Sequence, residues 1–283
     1  MPLVRKPLTL LTAPGRIEIW LRGERFADYR IPENGPMGFA AIYAPEGRCV
    51  TSADEMGLAL RIARANVDGV DFDTPPSSRP SGRILPVRTT MRRGTTSVGI
   101  QQECAWVAPD GKWLLTDIRT YRALPGPCEG GILDISLRLI APPGRRVHFG
   151  SADHDLLRLR TAKALFPESG QIRNSAGDYG YEDMHRRSAA WCAGVGVLKN
   201  ETVGFVLMEH PGNPFFPTDW SCYRDGSLSV SPTLWSSMAS DLSEETLFRY
   251  RLMVHMGYVE SGWAEARLHD FAEENVRGNS VSV

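Results

Sequence analysis

Residues 191–210 read W-C-A-G-V-G-V-L-K-N-E-T-V-G-F-V-L-M-E-H. Apolar residues alternate at Val195 and Val197, then at Val203, Phe205 and Leu207, on either side of Lys199-Asn200. Alternation about a two-residue turn pair is the pattern of two antiparallel strands. The second run ends in His210-Pro211-Gly212-Asn213-Pro214. Neither proline can donate to a ladder, so the strand stops at His210. His210 and Asn213 thus fall where a strand gives way to a rigid loop, a place where binding groups can be held.

The same punctuation runs outward along the chain. Short apolar segments recur at 17–21, 39–43, 84–87, 97–106, 113–121, 132–140, 146–149, 195–198, 203–209, 220–224 and 247–255. Pro/Gly turns separate them, and Pro109-Asp110-Gly111 between two alternating segments is a hairpin signal. Many short strands at even spacing predict an all-β fold, a large antiparallel sandwich or barrel. Leu8–Leu11 reads as a first strand. Residues 55–66 fit a strand as well as a helix. Only 263–276 has helix-like spacing, predicting one short helix at the chain's end. No repeat or linker-like tract breaks the pattern, so a single domain over 1–283 is expected.

Composition sets outer limits. The 283 residues are 42% hydrophobic and 23% charged, with a formal net charge of -1. That is an ordinary globular balance, long enough for a full core. Phosphate binding usually shows a basic excess, so nucleic acid is not the expected partner. The arginines of 88–93 read as a solvated strand end. No apolar run reaches the ~18–20 residues that span a bilayer. Pro7 interrupts the stretch after Arg5-Lys6, which leaves it too short for a signal peptide. The expectation is a cytoplasmic protein with no membrane partner. Five scattered cysteines, with no C-x-x-C, read as buried free thiols.

Walker A, G-x-G-x-x-G, G-x-S-x-G and H-E-x-x-H motifs are all missing. Three polar groups remain. His154 precedes Arg158 and Arg160, which would share one face of a strand. Two guanidiniums side by side repel unless an anion or hydrogen-bonding ligand lies between them; the bland alternative is separate surface carboxylates. Glu182 and His185, in D-Y-G-Y-E-D-M-H, are acid/base types on a polar loop. His210 and Asn213 stand near Trp220 and Arg224, and aromatic faces beside amide and guanidinium donors suit a sugar. Trp220 fits the core as well as a platform. His255, within an apolar strand, reads as a core or wall histidine.

Arg158–Arg160, Trp191, G-F-V-L at 204–207 leading to H-P-G-N-P at 210–214, W-S-C-Y-R at 220–224 and R-Y-R at 249–251 resemble one family. It is the soluble bacterial domain family commonly labelled "methane oxygenase PmoA". The resemblance runs from about Ile17 to Phe271. It implies a β-supersandwich like galactose mutarotase. Family members carry a D-H-x-H-H-like cluster followed by an N-G-x-D-F-W-like stretch. The matching positions here read S-A-D-E-M-G-L at 52–58 and N-V-D-G-V-D-F-D at 66–73. The histidines are gone, leaving Asp54 and Glu55, so no metal is expected.

The reading is a carbohydrate-active enzyme that moves protons on a sugar or sugar-derived small molecule, as an epimerase, mutarotase or lyase. Such chemistry needs a base, an acid and an oxyanion stabiliser, and no cofactor. His154, Glu182, His185 and His210 are the candidate proton-transfer groups. Asp54, Glu55, Arg158, Arg160, Asn213, Trp220 and Arg224 are the candidate substrate contacts. A homodimer is left open. The rival reading is a non-catalytic carbohydrate-binding or assembly protein of the same fold.

Overall fold

The computed structural model describes residues 8–33, 35–74, 80–151, 155–165, 171–232, 238–240 and 245–278. Two large sheets, antiparallel throughout, dominate it. The ten-stranded sheet runs in the order Thr9–Ala13, Arg16–Leu21, Glu24–Arg30, Gly38–Ala44, Leu60–Arg64, Asp155–Arg160, Ser227–Val230, Asp219–Cys222, Arg187–Ser188. Arg48–Cys49 pairs off its fourth strand. The eight-stranded sheet runs Gln171–Asn174, Trp191–Leu198, Glu201–Glu209, Thr246–Met256, Gly131–Ile140, Trp113–Pro125, Val98–Val107, Arg83–Arg93. Val147–Phe149 and Met238–Ser240 form a small third pair.

The local chemistry explains the register. Lys199 and Asn200 both take positive φ, 52° and 63°, which is the turn whose twist matches a hairpin. It sets Leu198 opposite Glu201 and Trp191 opposite Met208. The Pro109-Asp110-Gly111 turn likewise joins Val98–Val107 to Trp113–Pro125. Alternation then sorts the faces. Leu157, Leu159, Leu228 and Val230 point inward to a core shared with Trp106, Tyr121 and Leu133 of the other sheet. Arg158, Ser227 and Ser229 take the opposite face.

The helix Ser261–Gly278 packs on the outer side of the eight-stranded sheet. Ala264 and Phe271 meet Trp191, Val206, Met208 and Met253 in a second apolar cluster. The Trp191 indole N–H donates to Glu265 at 2.8 Å, tying sheet to helix. This helix is longer than the sequence pattern at 263–276 predicts, and a five-residue helix, Gly180–Met184, lies in the nominated polar loop. The ambiguous stretch 55–66 holds the buried strand Leu60–Arg64. Strand Glu24–Arg30 had no counterpart among the sequence segments. Of the cysteines, Cys104, Cys192 and Cys222 are buried, whereas Cys128 is exposed. Among the described residues no helix is long and apolar enough to cross a membrane.

One irregularity opens the fold. Strand Leu60–Arg64 pairs with Gly38–Ala44 through only two residue pairs, Gly38–Arg61 and Phe39–Leu60. A Cβ on Gly38 would lie 2.5 Å from the Leu60 carbonyl oxygen, so glycine is needed where the strands meet. Beyond that contact the strands part, and a cavity fills the gap.

Candidate functional site

The cavity holds about 440 Å³. Arg61, Ile62 and Ala63 reach it from the ten-stranded sheet, and Arg83, Ile84 and Arg119 from the eight-stranded one. Met37, Met56, Phe72, Asp73, Thr74 and Gly82 complete much of its wall. Volumes of this size suit a monosaccharide-scale ligand.

Two buried arginines line this space, one from each sheet. Arg61 is 3% exposed. Its Nε donates to Asp54 at 3.0 Å and its Nη1 lies 2.5 Å from Asp73. Its Nη2 is buried with no partner. Asp54 is shaped for this task. Its Oδ1 accepts the backbone N–H groups of Met56 and Leu58, closing a turn that aims Oδ2 at Arg61. Asp73 is set in the same way, because Asp71 accepts the N–H groups of Asp73 and Thr74. Arg119, 1% exposed, donates through Nε to Asp117 at 2.8 Å and through Nη2 to the same carboxylate. Asp117 also accepts the Trp106 indole N–H at 2.6 Å. Each arginine therefore keeps donor capacity after its carboxylates are served. A buried donor without a partner is costly, and water or a ligand is its usual complement.

A polar row crosses the sheet at this level. Arg30, Gly38, Arg61, Arg158, Ser229 and Ser221 are successive register partners over six strands. Arg61 and Arg158 are direct cross-strand neighbours of like charge, an unfavourable pair. Arg158 reaches Ser227 Oγ at 3.4 Å, its Nε is buried without a partner, and it has no carboxylate among the described residues. Arg160, one step along, donates to the carbonyls of Asp225 and Ala53 and lies 3.7 Å from the Asp225 carboxylate.

The sequence nominations divide accordingly. Arg158 and Arg160 do share one face of a strand, beside Arg61. Asp54 supports Arg61 from behind the cavity wall, and Glu55 is exposed next to it. His154 lies outside the described residues. Glu182 and Arg224 pair at 2.8 Å at the surface, both at least 70% exposed. The Tyr181 hydroxyl and Arg224 hold the Glu182 carboxyl below its usual range. His185 sits with Nδ1 2.9 Å from the Cys222 carbonyl and its ring edge against Tyr223. Trp220 is fully buried and its indole N–H donates to Ala189, so it is core and not a platform. His255 is a core histidine, 1% exposed, and burial lowers its pKa.

His210 and Asn213 form a different corner, at the end of the eight-stranded sheet. Asn213 donates to the Arg249 carbonyl at 2.9 Å and accepts the Arg249 N–H at 2.8 Å, continuing the ladder past Pro211. His210 accepts the Gly212 N–H and packs its ring on Phe271. Glu209, fully buried, accepts from Thr218 and Asn213. Burial raises the Glu209 pKa to about 6, against those hydrogen bonds. Burial, with Arg249 and Arg251, lowers that of His210 to about 4. His210 and Asn213 cap the eight-stranded sheet, whereas Arg160 and Arg224 stand on the ten-stranded one.

The cavity's own residues, Arg61, Arg119, Asp73 and Phe72, were not nominated. Their signal is a charge inside an apolar strand: L-R-I at 60–62, and D-I-R at 117–119 within L-L-T-D-I-R-T-Y. A buried arginine almost always has a partner or a task.

The chain belongs to a family of unknown function, DUF6807, whose pattern matches residues 16–269. No curated protein matches it. Among solved structures it is similar to a putative kojibiose phosphorylase from human microbiome, at 8% identity and a TM-score of 0.33. That alignment covers 99% of this chain and 37% of the phosphorylase.

Proposed function

We propose that the cavity between Arg61 and Arg119 binds a sugar or sugar-derived small molecule and moves a proton on it. The observation that carries this reading is the pair of buried arginines from opposite sheets, each with donor capacity left over at one cavity. Met37, Met56, Phe72, Ile62 and Ile84 supply apolar surface for the C–H face of a sugar ring, while the arginines, Asp73 and Thr74 supply donors and acceptors for hydroxyls. The location agrees with the sequence resemblance. Residues 52–58 and 66–73, where that family carries its histidine cluster and its N-G-x-D-F-W-like stretch, form the loops behind this wall.

Asp73 is the carboxylate that lines the cavity, and it is the base in this scheme. It takes a proton from a sugar carbon next to a carbonyl or carboxyl group. The charge then collects on oxygen, where the unused donors of Arg61 and Arg119 are preorganised to receive it. A proton delivered to the other face by solvent, with Asp73 giving its proton up to water, yields an epimer; loss of a neighbouring hydroxyl with the proton held by Asp73 yields an elimination and one water.

The test is incubation with a panel of sugars in D2O, read by NMR. The expected result is deuterium incorporation at one carbon, reduced about 10²-fold or more by Asp73→Asn with binding retained. Binding without exchange would establish the non-catalytic carbohydrate-binding reading instead. No binding by any sugar of the panel would overturn the proposal.

A further inference from the structure

Among the described residues the charges around the cavity do not balance. Arg61 is matched by Asp54 and Asp73, and Arg119 by Asp117. Arg160 has Asp225. Arg83, at the cavity wall, and Arg158, opposite Arg61 in register, have no carboxylate partner among the described residues. Four guanidiniums, of Arg61, Arg83, Arg119 and Arg158, thus stand against the three carboxylates of Asp54, Asp73 and Asp117. Arg83 is exposed and water serves it. Arg158 is half-buried, its Nε is sealed from solvent without a partner, and its neighbour in the sheet is another arginine.

A fold gains nothing from this arrangement. Like charges directly opposite on antiparallel strands destabilise, and partly desolvated ones do so more than exposed ones. A single negative group set against both guanidiniums would remove the repulsion. Arginine is suited to this, because its planar fork matches the geometry of a carboxylate.

Resting on the reading above, we infer that the ligand is a sugar acid, an aldonate or uronate whose one carboxylate is taken by Arg61 and Arg158 while its hydroxylated chain or ring occupies the cavity. The excess of one charge favours a carboxylate over a phosphate, which carries about -1.5 to -2 at neutral pH. The same contact would acidify the carbon next to the carboxylate, the proton the proposed chemistry removes.

The experiment compares melting temperature and calorimetric affinity for gluconate and glucuronate, for glucose, and for glucose 6-phosphate. Variants are Arg158→Met and, in parallel, Arg83→Ser. The expected result is that a sugar acid binds at least 10-fold more tightly than glucose and more tightly than the phosphate. Arg158→Met abolishes that preference, while the ligand-free protein melts at the same temperature or higher, since a repulsion has been removed. A purely structural arginine would instead lower the melting temperature and leave ligand preference unchanged, and that result overturns the inference. Tighter binding of glucose than of either acid also overturns it, but leaves the carbohydrate reading standing. Binding of none of the four by the native protein removes both. Arg83→Ser keeps the preference if the Arg61–Arg158 pair sets it; loss through Arg83 alone would overturn the assignment.

Discussion

Two of the molecule's arginine-lined hollows are built to different ends. One is the cavity of Arg61 and Arg119. The other, about 530 Å³, lies between the outer face of the eight-stranded sheet and the helix Ser261–Gly278. There, Arg251 spends all three guanidinium nitrogens. Nε and Nη2 bind Asp134 at 2.6 and 3.1 Å, and Nη1 and Nη2 bind Glu274 at 3.2 and 2.7 Å. The plane also stacks on Phe271, 4.5 Å from the ring centre. Burial pulls the Arg251 pKa down, but the two carboxylates outweigh it and raise it above the ordinary value. Every guanidinium nitrogen is engaged, and Glu274 belongs to the helix, so the group fastens helix to sheet. At the cavity Asp54, Asp73 and Asp117 hold the arginines in place but leave donors over. Salt-bridge geometry alone does not separate a fastening from a binding group; unused capacity does.

The largest effect should come from breaking the fastening. Arg251→Met leaves Asp134 and Glu274 with only the more exposed Arg122 between them and removes one of the helix's polar ties to the sheet. Loss of one member of a largely buried pair costs about 3 kcal/mol. Urea unfolding should show a loss of that order, with sugar binding by the folded fraction unchanged. A loss under about 1 kcal/mol would mean that apolar burial of Phe271 and Ala264, with the Trp191–Glu265 and Arg122–Glu274 contacts, is enough to hold the helix.

This contrast also explains what the sequence disclosed. Strand alternation, the Lys199-Asn200 turn and the Pro109-Asp110-Gly111 turn are local, so the sheets were legible from them. The strand end at His210 was legible too, but its purpose was not. Pro211 and Pro214 mark a rigid loop whether the loop binds a ligand or, as Asn213 does here, replaces ladder hydrogen bonds. Arg61 and Arg119 come together only because two sheets separated by half a core converge, and no spacing along the chain encodes that. The shared face of Arg158 and Arg160 was legible because its signal was local: an arginine two residues from another on a strand.

The corner at Glu209 and His210 gives the next effect, and its signs oppose. His210 has a depressed folded pKa, about 4, so the stability it contributes is full above its unfolded pKa of 6.5 and is lost as pH falls from there toward 4. Glu209 has a raised one, about 6 against 4.5, so its contribution is full below 4.5 and is lost as pH rises through 6. Between pH 6.5 and 4.5 the two changes offset each other. Glu209→Gln keeps an acceptor for Thr218 and removes the carboxylate. Stability of that variant should fall by about 2 kcal/mol more than the native protein's between pH 6.5 and 4.5, by urea titration at several pH values. Parallel curves would show that Glu209 is ionised in both states across this range.

A smaller change sharpens the cavity side. A Cβ at Gly82 would lie 2.3 Å from the Phe72 ring, which rests against Trp106 at 4.9 Å between centres. Gly82→Ala must displace the ring, which itself lines the cavity. Overpacking of this kind costs about 1 kcal/mol or somewhat more. Ligand affinity should fall along with it, whereas the same loss of stability with unaltered affinity would place the bound molecule away from Phe72.

The smallest effect is expected at Arg224, and it completes the contrast. Arg224 pairs with Glu182 and lies over the Tyr181 ring, 5.0 Å from its centre. On paper this trio has the parts of an active site: a carboxylate, a phenol and a guanidinium, with His185 close by in the chain. Its exposure decides otherwise. Arg224 is 75% and Glu182 70% exposed, so water already serves the donors and acceptors that a ligand would need to claim, and Coulomb attraction is screened. The raised pKa of Arg224 and the lowered one of Glu182 arise from their mutual hydrogen bond and from Tyr181, not from desolvation. Arg224→Ala should leave the melting temperature, sugar affinity and any deuterium exchange where they were. A loss of exchange with the fold intact would move the chemistry to the 180–185 helix and make the Arg61 cavity the structural one of the two. An unchanged rate beside a dead Asp73→Asn variant would fix the division: donors held out of water bind, and donors already in water do not.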